Sequence, residues 1–274
     1  MSTAVSTVIH PWFRAHPVHH DNIVWHWDHA TGEEIRRGLR WYADAHHMAV
    51  AIAHGDAHLG AGMLAVYSPQ QGWMANVLLA ARVLHIGTGI GGTGSGAFAT
   101  TAQKRAADRL LAGERYQNVL SGPKVRAFAH LIEHGDDHEL AQPRAVIDRH
   151  ALSVAHGTAL SITQYSAAPV RSIRRQDGAL THRHYEHVVA QYRRAAAEIS
   201  RLEQQRVAAH QVQAVTWLVR QRLNQSAARE RGMSVLDMGR ETARRNAENA
   251  WRDFRVTHLP HMSDWPETGY QAAA

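Results

Sequence analysis

Leu120-Ser121-Gly122-Pro123-Lys124-Val125-Arg126-Ala127-Phe128 breaks an otherwise helical pattern with a Gly-Pro pair. Before it stands the short segment Tyr116–Leu120. After it, Lys124–Glu133 carries Val125, Phe128 and Leu131 or Ile132 on one face at helical spacing. Proline at a first helical position loses no hydrogen bond, because that position has no intrahelical acceptor for an N–H. The stretch therefore predicts a helix, a tight glycine turn and a second helix. The first N–H groups of that second helix point outward unpaired, where a phosphate oxygen can meet them. With Arg126 beside them, Ser121 and Gly122 could hold a DNA backbone without reading its sequence. A plain connection between two helices is the other reading of the same residues.

Helical patterning continues in both directions. Upstream, Thr31 and Glu34 have capping-box spacing, and Ile35, Leu39, Tyr42, His46, Ala49 and Ile52 recur three or four apart, which predicts a helix to about His54. Gly55-Asp56 ends it. Apolar helices follow over Ala57–Tyr67 and Trp73–Leu84, separated by Ser68-Pro69-Gln70-Gln71-Gly72, as a buried hairpin. Gly87, Gly89 and Gly92 have dinucleotide-binding spacing, but they follow a helical pattern rather than a strand, so a connector into a helix at Ala97–Ala112 is preferred. The first thirty residues show no period and are expected to form an irregular arm.

Downstream, a polar loop is expected over Gly135–Arg144, a helix from Asp148 through Val154, and a variable stretch over Gly157–Gly178. Tyr185, Val188, Val189, Tyr192, Ala195, Ala196 and Ile199 mark an amphipathic helix, and Arg206–Asn224 and Ser234–Phe254 mark two more. No persuasive strand alternation is present. The expected fold class is all-α, with an arm at 1–30, a helical domain at 31–226, and a C-terminal helix and tail at 227–274.

Composition narrows the chemistry. Hydrophobic residues at 45% and charged residues at 20% match an ordinary globular chain, which excludes a fibrous or wholly disordered one. With no cysteine there are no thiolate nucleophiles, disulfides or cysteine-held clusters. Apolar runs such as Val77–Leu84 stop far short of a spanning helix, and Met1–His10 lacks a signal pattern, so no membrane partner and a cytoplasmic location are expected. A net charge of +6 points to nucleic acid. Twenty-two histidines should raise that charge as pH falls towards 6. Lysine fills only two of the 30 basic positions, Lys104 and Lys124, and arginine fills the rest. Lysine, unlike arginine, can become a free amine. Two histidine groups, His182/His184/His187 and His19/His20/Asp21/His26/Asp28/His29, are read as surface or core residues, so no metal is expected.

Gly122-Pro123-Lys124-Val125-Arg126-Ala127, followed by Val146-Ile147-Asp148-Arg149-His150-Ala151-Leu152-Ser153-Val154, resembles the two signature segments of the helix-hairpin-helix (HhH-GPD) DNA glycosylase superfamily. Ala65-Val66-Tyr67-Ser68-Pro69-Gln70 is similar to the Leu-Leu-Ser-x-Gln element of its endonuclease-type branch, and the helix with Trp217 falls where the closing helix of that fold lies. The likeness spans about residues 40–226. It departs from the family at Leu120, which stands in place of the first hairpin glycine, and in the long interval between Lys124 and Asp148.

The resemblance implies DNA as partner, a monomer, no cofactor, and excision of a flipped, damaged or modified base. It matches Asp148 to the catalytic carboxylate, Lys124 to the Schiff-base lysine, and Gln70 to the residue that fills the gap left by the flipped base. These types suit the chemistry, because a carboxylate stabilises positive charge at C1′, a free amine can attack it, and an uncharged polar side chain can plug a base stack. On the residues alone, Asp148 is equally a helix N-cap, Lys124 a phosphate contact and Gln70 a polar turn residue. A base-hypermodifying enzyme of the bacteriophage or actinobacterial branch and a non-catalytic DNA-binding protein are the alternatives.

Overall fold

From His10 onward, the aperiodic N-terminal residues form two helices, α1 (Pro11–Ala15) and α2 (His20–Asp28), rather than an irregular arm. Histidines cap both: His10 Nδ1 accepts the Trp12 N–H at 3.1 Å and His19 Nδ1 accepts that of Asp21 at 3.4 Å. Phe13, Val18, Ile23 and Trp27 are buried in the same core as the rest of the chain. The computed structural model describes residues 10–69, 71–92, 99–135, 137–141, 143–170, 173–174 and 180–262.

Thr31 and Glu34 form the expected capping box at the start of α3 (Gly32–Ile52). His54 and Gly55, both at positive φ, turn the chain by 107° into α4 (Ala57–Tyr67), whose first turn Asp56 caps at Leu59 N, 2.9 Å. After α5 (Trp73–Ile86), Gly87 takes the left-handed C-cap conformation. Gly89 N then donates to Asp108 Oδ1 at 2.7 Å on α6 (Thr101–Leu111), so the glycine-rich stretch starts as a helix cap and a strut between helices, not as a strand-borne phosphate loop.

Next come α7 (Tyr116–Val119), α8 (Pro123–Glu133), α9 (His138–Ala141) and α10 (Arg149–His156). The short helices α9 and α11 (Ile162–Ala167) occupy parts of the stretches expected to be loop and variable. A two-residue antiparallel ladder, β1 (Ile173–Arg174) with β2 (Leu180–Thr181), precedes the long helices α12 (Arg183–Leu202), α13 (Ala209–Glu230) and α14 (Val235–His258). The architecture is all-α, as the periodicity predicts. Among the described residues no single helix is long and apolar enough to cross a membrane.

α3 is the hub, packed by α13, α4, α8 and α5. Glycines bring backbones against it. A Cβ on Gly38 would sit 2.6 Å from Val215 Cα of α13, and one on Gly60 of α4 would sit 2.7 Å from the Ala49 carbonyl carbon. Polar bonds lock the same crossings: Tyr42 OH donates to Gln213 Oε1 at 2.8 Å, and Arg222 Nε donates to Glu34 Oε1 at 2.8 Å. Burial pushes the Glu34 carboxyl up, but its bonds from Arg222 and Thr31 carry it below the usual carboxylate range. At the far side α14 covers α5 through Trp251 and Phe254, with Arg82 over the Phe254 ring.

Five histidines, His26, His130, His150, His184 and His187, are held below the ordinary imidazole value, in each case chiefly by burial. The expected rise of charge towards pH 6 therefore does not extend to these five. They make folding acid-sensitive instead. In the unfolded chain they protonate near pH 6.5 while the folded chain resists, so stability is complete above that pH and declines below it. Glu34 adds a second loss, present above its unfolded value of about 4.3 and removed as pH drops through its lower folded value.

Two outcomes are expected. Gly38→Ala should destabilise the fold by about 3 kcal/mol, because the methyl meets α13 backbone that cannot rotate away; an unchanged urea midpoint would refute the tight crossing. The urea midpoint of the wild type should fall between pH 7 and 5.5, and His26→Leu should make that fall shallower.

Candidate functional site

The extended residues Ala145, Val146 and Ile147 are buried, and one side chain holds them: Tyr185 OH donates to the Ala145 carbonyl at 2.8 Å and accepts the Ile147 N–H at 3.1 Å. This clamp presents Asp148 at the start of α10, half-buried. Its Oδ1 accepts the Ala151 N–H at 2.7 Å, the N-cap bond, and its Oδ2 accepts the Trp217 Nε1–H of α13 at 3.1 Å. Three buried tyrosines, Tyr42, Tyr185 and Tyr192, lie close enough to feel the Asp148 charge, and with burial it pushes their hydroxyls up. They remain neutral hydrogen-bond donors beneath the carboxylate.

His150, the second residue of α10, gathers the charges around it. Burial lowers its pKa most; Asp148 works to raise it, while Arg149, Arg220 and Lys124 lower it. The Trp217 ring meets the imidazole edge-to-face at 6.0 Å between centroids. Of the two groups singled out by sequence, Asp148 caps the helix that carries this imidazole, and the charge of Lys124 on α8 reaches it as the weakest of these influences.

Lys124 enters through the turn. Leu120 is buried and extended, and its carbonyl accepts Arg126 Nε at 2.6 Å, so the altered hairpin position serves as a core anchor. Gly122 stands at φ +125°, where a side chain would strain the backbone, and it precedes Pro123 without a side-chain cap. The N–H groups of Lys124 and Val125 consequently have no acceptor among the described residues. Ser121 and Arg126 are exposed beside them.

The lysines differ. Lys104 Nζ pairs with Asp108 Oδ2 at 2.7 Å, whereas Lys124 has no hydrogen bond or ion pair among the described residues. Arg220, half-buried, also lacks one, and Arg149 reaches only the Leu160 carbonyl at 3.3 Å. The arrangement can hold polyanion oxygens with three cations and two free N–H groups, beside one carboxylate.

Gln70 lies outside the described residues. His150, Arg220, Arg149 and the Trp217 indole complete the cluster and carry no role in the sequence reading. His150 and Arg149 sit inside the quoted Asp148 segment, but Arg220 and Trp217 come from a helix about seventy residues later. Of the histidine groups tested by spacing, His184 and His187 pack on His10 and Phe13, while His19, His20 and Asp21 converge at the exposed cap of α2.

A family model described as "Family of unknown function (DUF7178)" matches residues 15–225, a span that includes α2 through most of α13 and every residue of this cluster. No curated protein and no solved structure matches the chain.

Titration of His150 by NMR checks the convergence directly. Lys124→Gln removes a cation and should raise the imidazole pKa; Asp148→Asn removes an anion and should lower it. A His150 titration indifferent to Lys124→Gln would place the amine elsewhere.

Proposed function

The chain belongs to the DUF7178 family, and from the grouping of Lys124 and Asp148 around His150 we propose that it binds DNA and cleaves the N-glycosidic bond of an extruded base. The observation that carries this reading is an amine without a carboxylate partner that shares an imidazole neighbour with a half-buried aspartate. The likeness of the two segments to the helix-hairpin-helix glycosylases, through which both residues were singled out, agrees with it.

In this reading the Lys124 and Val125 N–H groups, with Ser121, Gly122 and Arg126, hold backbone phosphate. Gln70 fills the stack as the base leaves it. As the C1′–N bond breaks, its electron pair departs with the base, and Asp148 stabilises the positive charge left on the sugar. Either water then adds to C1′, giving its proton to Asp148, or the Lys124 amine adds and gives a proton to Asp148, which returns it to O4′. In the second case O4′ leaves C1′ as the ring opens, and an imine to Nζ remains. Borohydride would reduce that imine to a stable adduct.

One observation favours a binding-only protein: both Asp148 oxygens already accept hydrogen bonds, from Ala151 and Trp217. Each oxygen retains a further lone pair, so the bonds orient the carboxylate without blocking it.

Duplexes bearing a panel of damaged or modified bases separate these readings. Excision by the wild type is expected, with a borohydride-trapped adduct that Lys124→Gln abolishes, and Asp148→Asn should slow excision by about 100-fold or more. Arg126→Ala should weaken DNA binding and reduce the salt dependence of log Kd by about 0.9 per lost phosphate contact. Salt-sensitive binding without any excised base or alkali-labile site would establish the binding-only reading.

A further inference from the structure

The other end of α8 carries a cluster that base excision does not use. His130 and Glu133 lie in the last turn of α8 and His134 is its C-cap, at i, i+3 and i+4, which keeps the three close together at the helix end. One ligand atom from each lies within 4.8 Å of the other two, and all three residues are half-buried. A tetrahedral zinc ion with bonds of about 2.0–2.1 Å spaces its ligands roughly 3.4 Å apart, so modest movement of the two imidazoles towards Glu133 brings the set to that spacing.

The surroundings hold the ligands as a metal would need them. His130 Nε2 lies 2.9 Å from the Leu140 carbonyl, an acceptor only, which places the proton on Nε2 and leaves the lone pair on Nδ1. Glu133 Oε1 is bonded by His58 Nδ1 at 2.7 Å, and Glu133 Oε2 accepts the Tyr116 hydroxyl, so the carboxylate is fixed in rotamer and kept ionised. His134 Nε2 already lies 3.3 Å from Glu133 Oε2. Arg144, whose charge reaches His130, opposes a cation here, and the ionised Glu133 offsets it.

We propose that His130, Glu133 and His134 form a binding site for one divalent transition-metal ion of the zinc class, with a fourth position open to water or an anion. Two imidazole nitrogens and one carboxylate oxygen suit zinc better than the all-oxygen shells of magnesium or calcium. The site stands about 9–15 Å along the helix direction from Lys124 and borrows nothing from the DNA reading. It also reverses the expectation, drawn from histidine spacing elsewhere, that no metal is bound. The other converging group, His19, His20 and Asp21, is the internal control, since it is more exposed and His20 also pairs with Glu198.

The test titrates the full chain, stripped with a chelator, with Zn²⁺ in calorimetry and with Co²⁺ in visible absorption. One ion per chain is expected at this site, with the absorption of a four-coordinate Co²⁺. His130→Gln and His134→Gln should each weaken binding by more than the roughly 10–100-fold that loss of an outer partner produces. His19→Gln with His20→Gln should leave the site intact. Zn²⁺ should raise the melting temperature of the wild type and not that of His130→Gln, whose far-ultraviolet dichroism in the absence of metal reports that it folds. Binding unaffected by both α8 substitutions, binding lost in the His19/His20 variant, or no binding at millimolar metal would each overturn the proposal.

Discussion

The close approach of α13 to α3 at Gly38 is the constraint from which the site follows. Because no side chain intervenes, the Val215 backbone sits directly on α3, and two residues later the Trp217 indole is delivered to Asp148. A wider separation of these helices would withdraw the indole from the carboxylate and Arg220 from His150. The polar bonds that flank the crossing, Tyr42 to Gln213 and Glu34 to Arg222, fix its rotation as well as its depth. Such directional bonds specify one arrangement where apolar packing alone tolerates several.

Polar order around Asp148 comes from beneath. Tyr185 ties down the backbone that leads into the aspartate, and Tyr192 donates to the Ala151 carbonyl within the helix that the aspartate caps, at 2.9 Å. Both hydroxyls are pushed well above the ordinary tyrosine value by burial, so they stay protonated across the whole working range of the fold. The result is a carboxylate whose supporting backbone is tied down by two neutral tyrosine hydroxyls.

Much of the fold is legible in the sequence because its signals are local. Thr31 with Glu34, Asp56, Asp148 and Ser234 all act as the caps that their residue types announce. The N-terminal helices escape this reading because histidines, not Ser, Thr, Asp or Asn, accept their first N–H groups, and because α1 is only five residues long. Of the site, Asp148 and Lys124 are legible through local motif, and the hairpin turn through Gly-Pro. The Asp148–Trp217 bond and the place of Arg220 are not, since they depend on how α13 crosses α10. The spacing of His130, Glu133 and His134 is visible on the chain, but its meaning rests on Leu140, Tyr116 and His58, which only the folded chain brings to it.

The unequal treatment of the two lysines has a practical side. Lys104 is engaged by Asp108, and every other alkyl or guanidinium cation except Lys124 is an arginine, so the hairpin carries the one lysine without an ion pair among the described residues. An acylating fluorophore or surface linker should favour Lys124 over Lys104, whose exposed pair with Asp108 slows reaction without blocking it. The molecule thus comes with a built-in attachment point at one end of α8, from which distances to its other parts can be gauged optically.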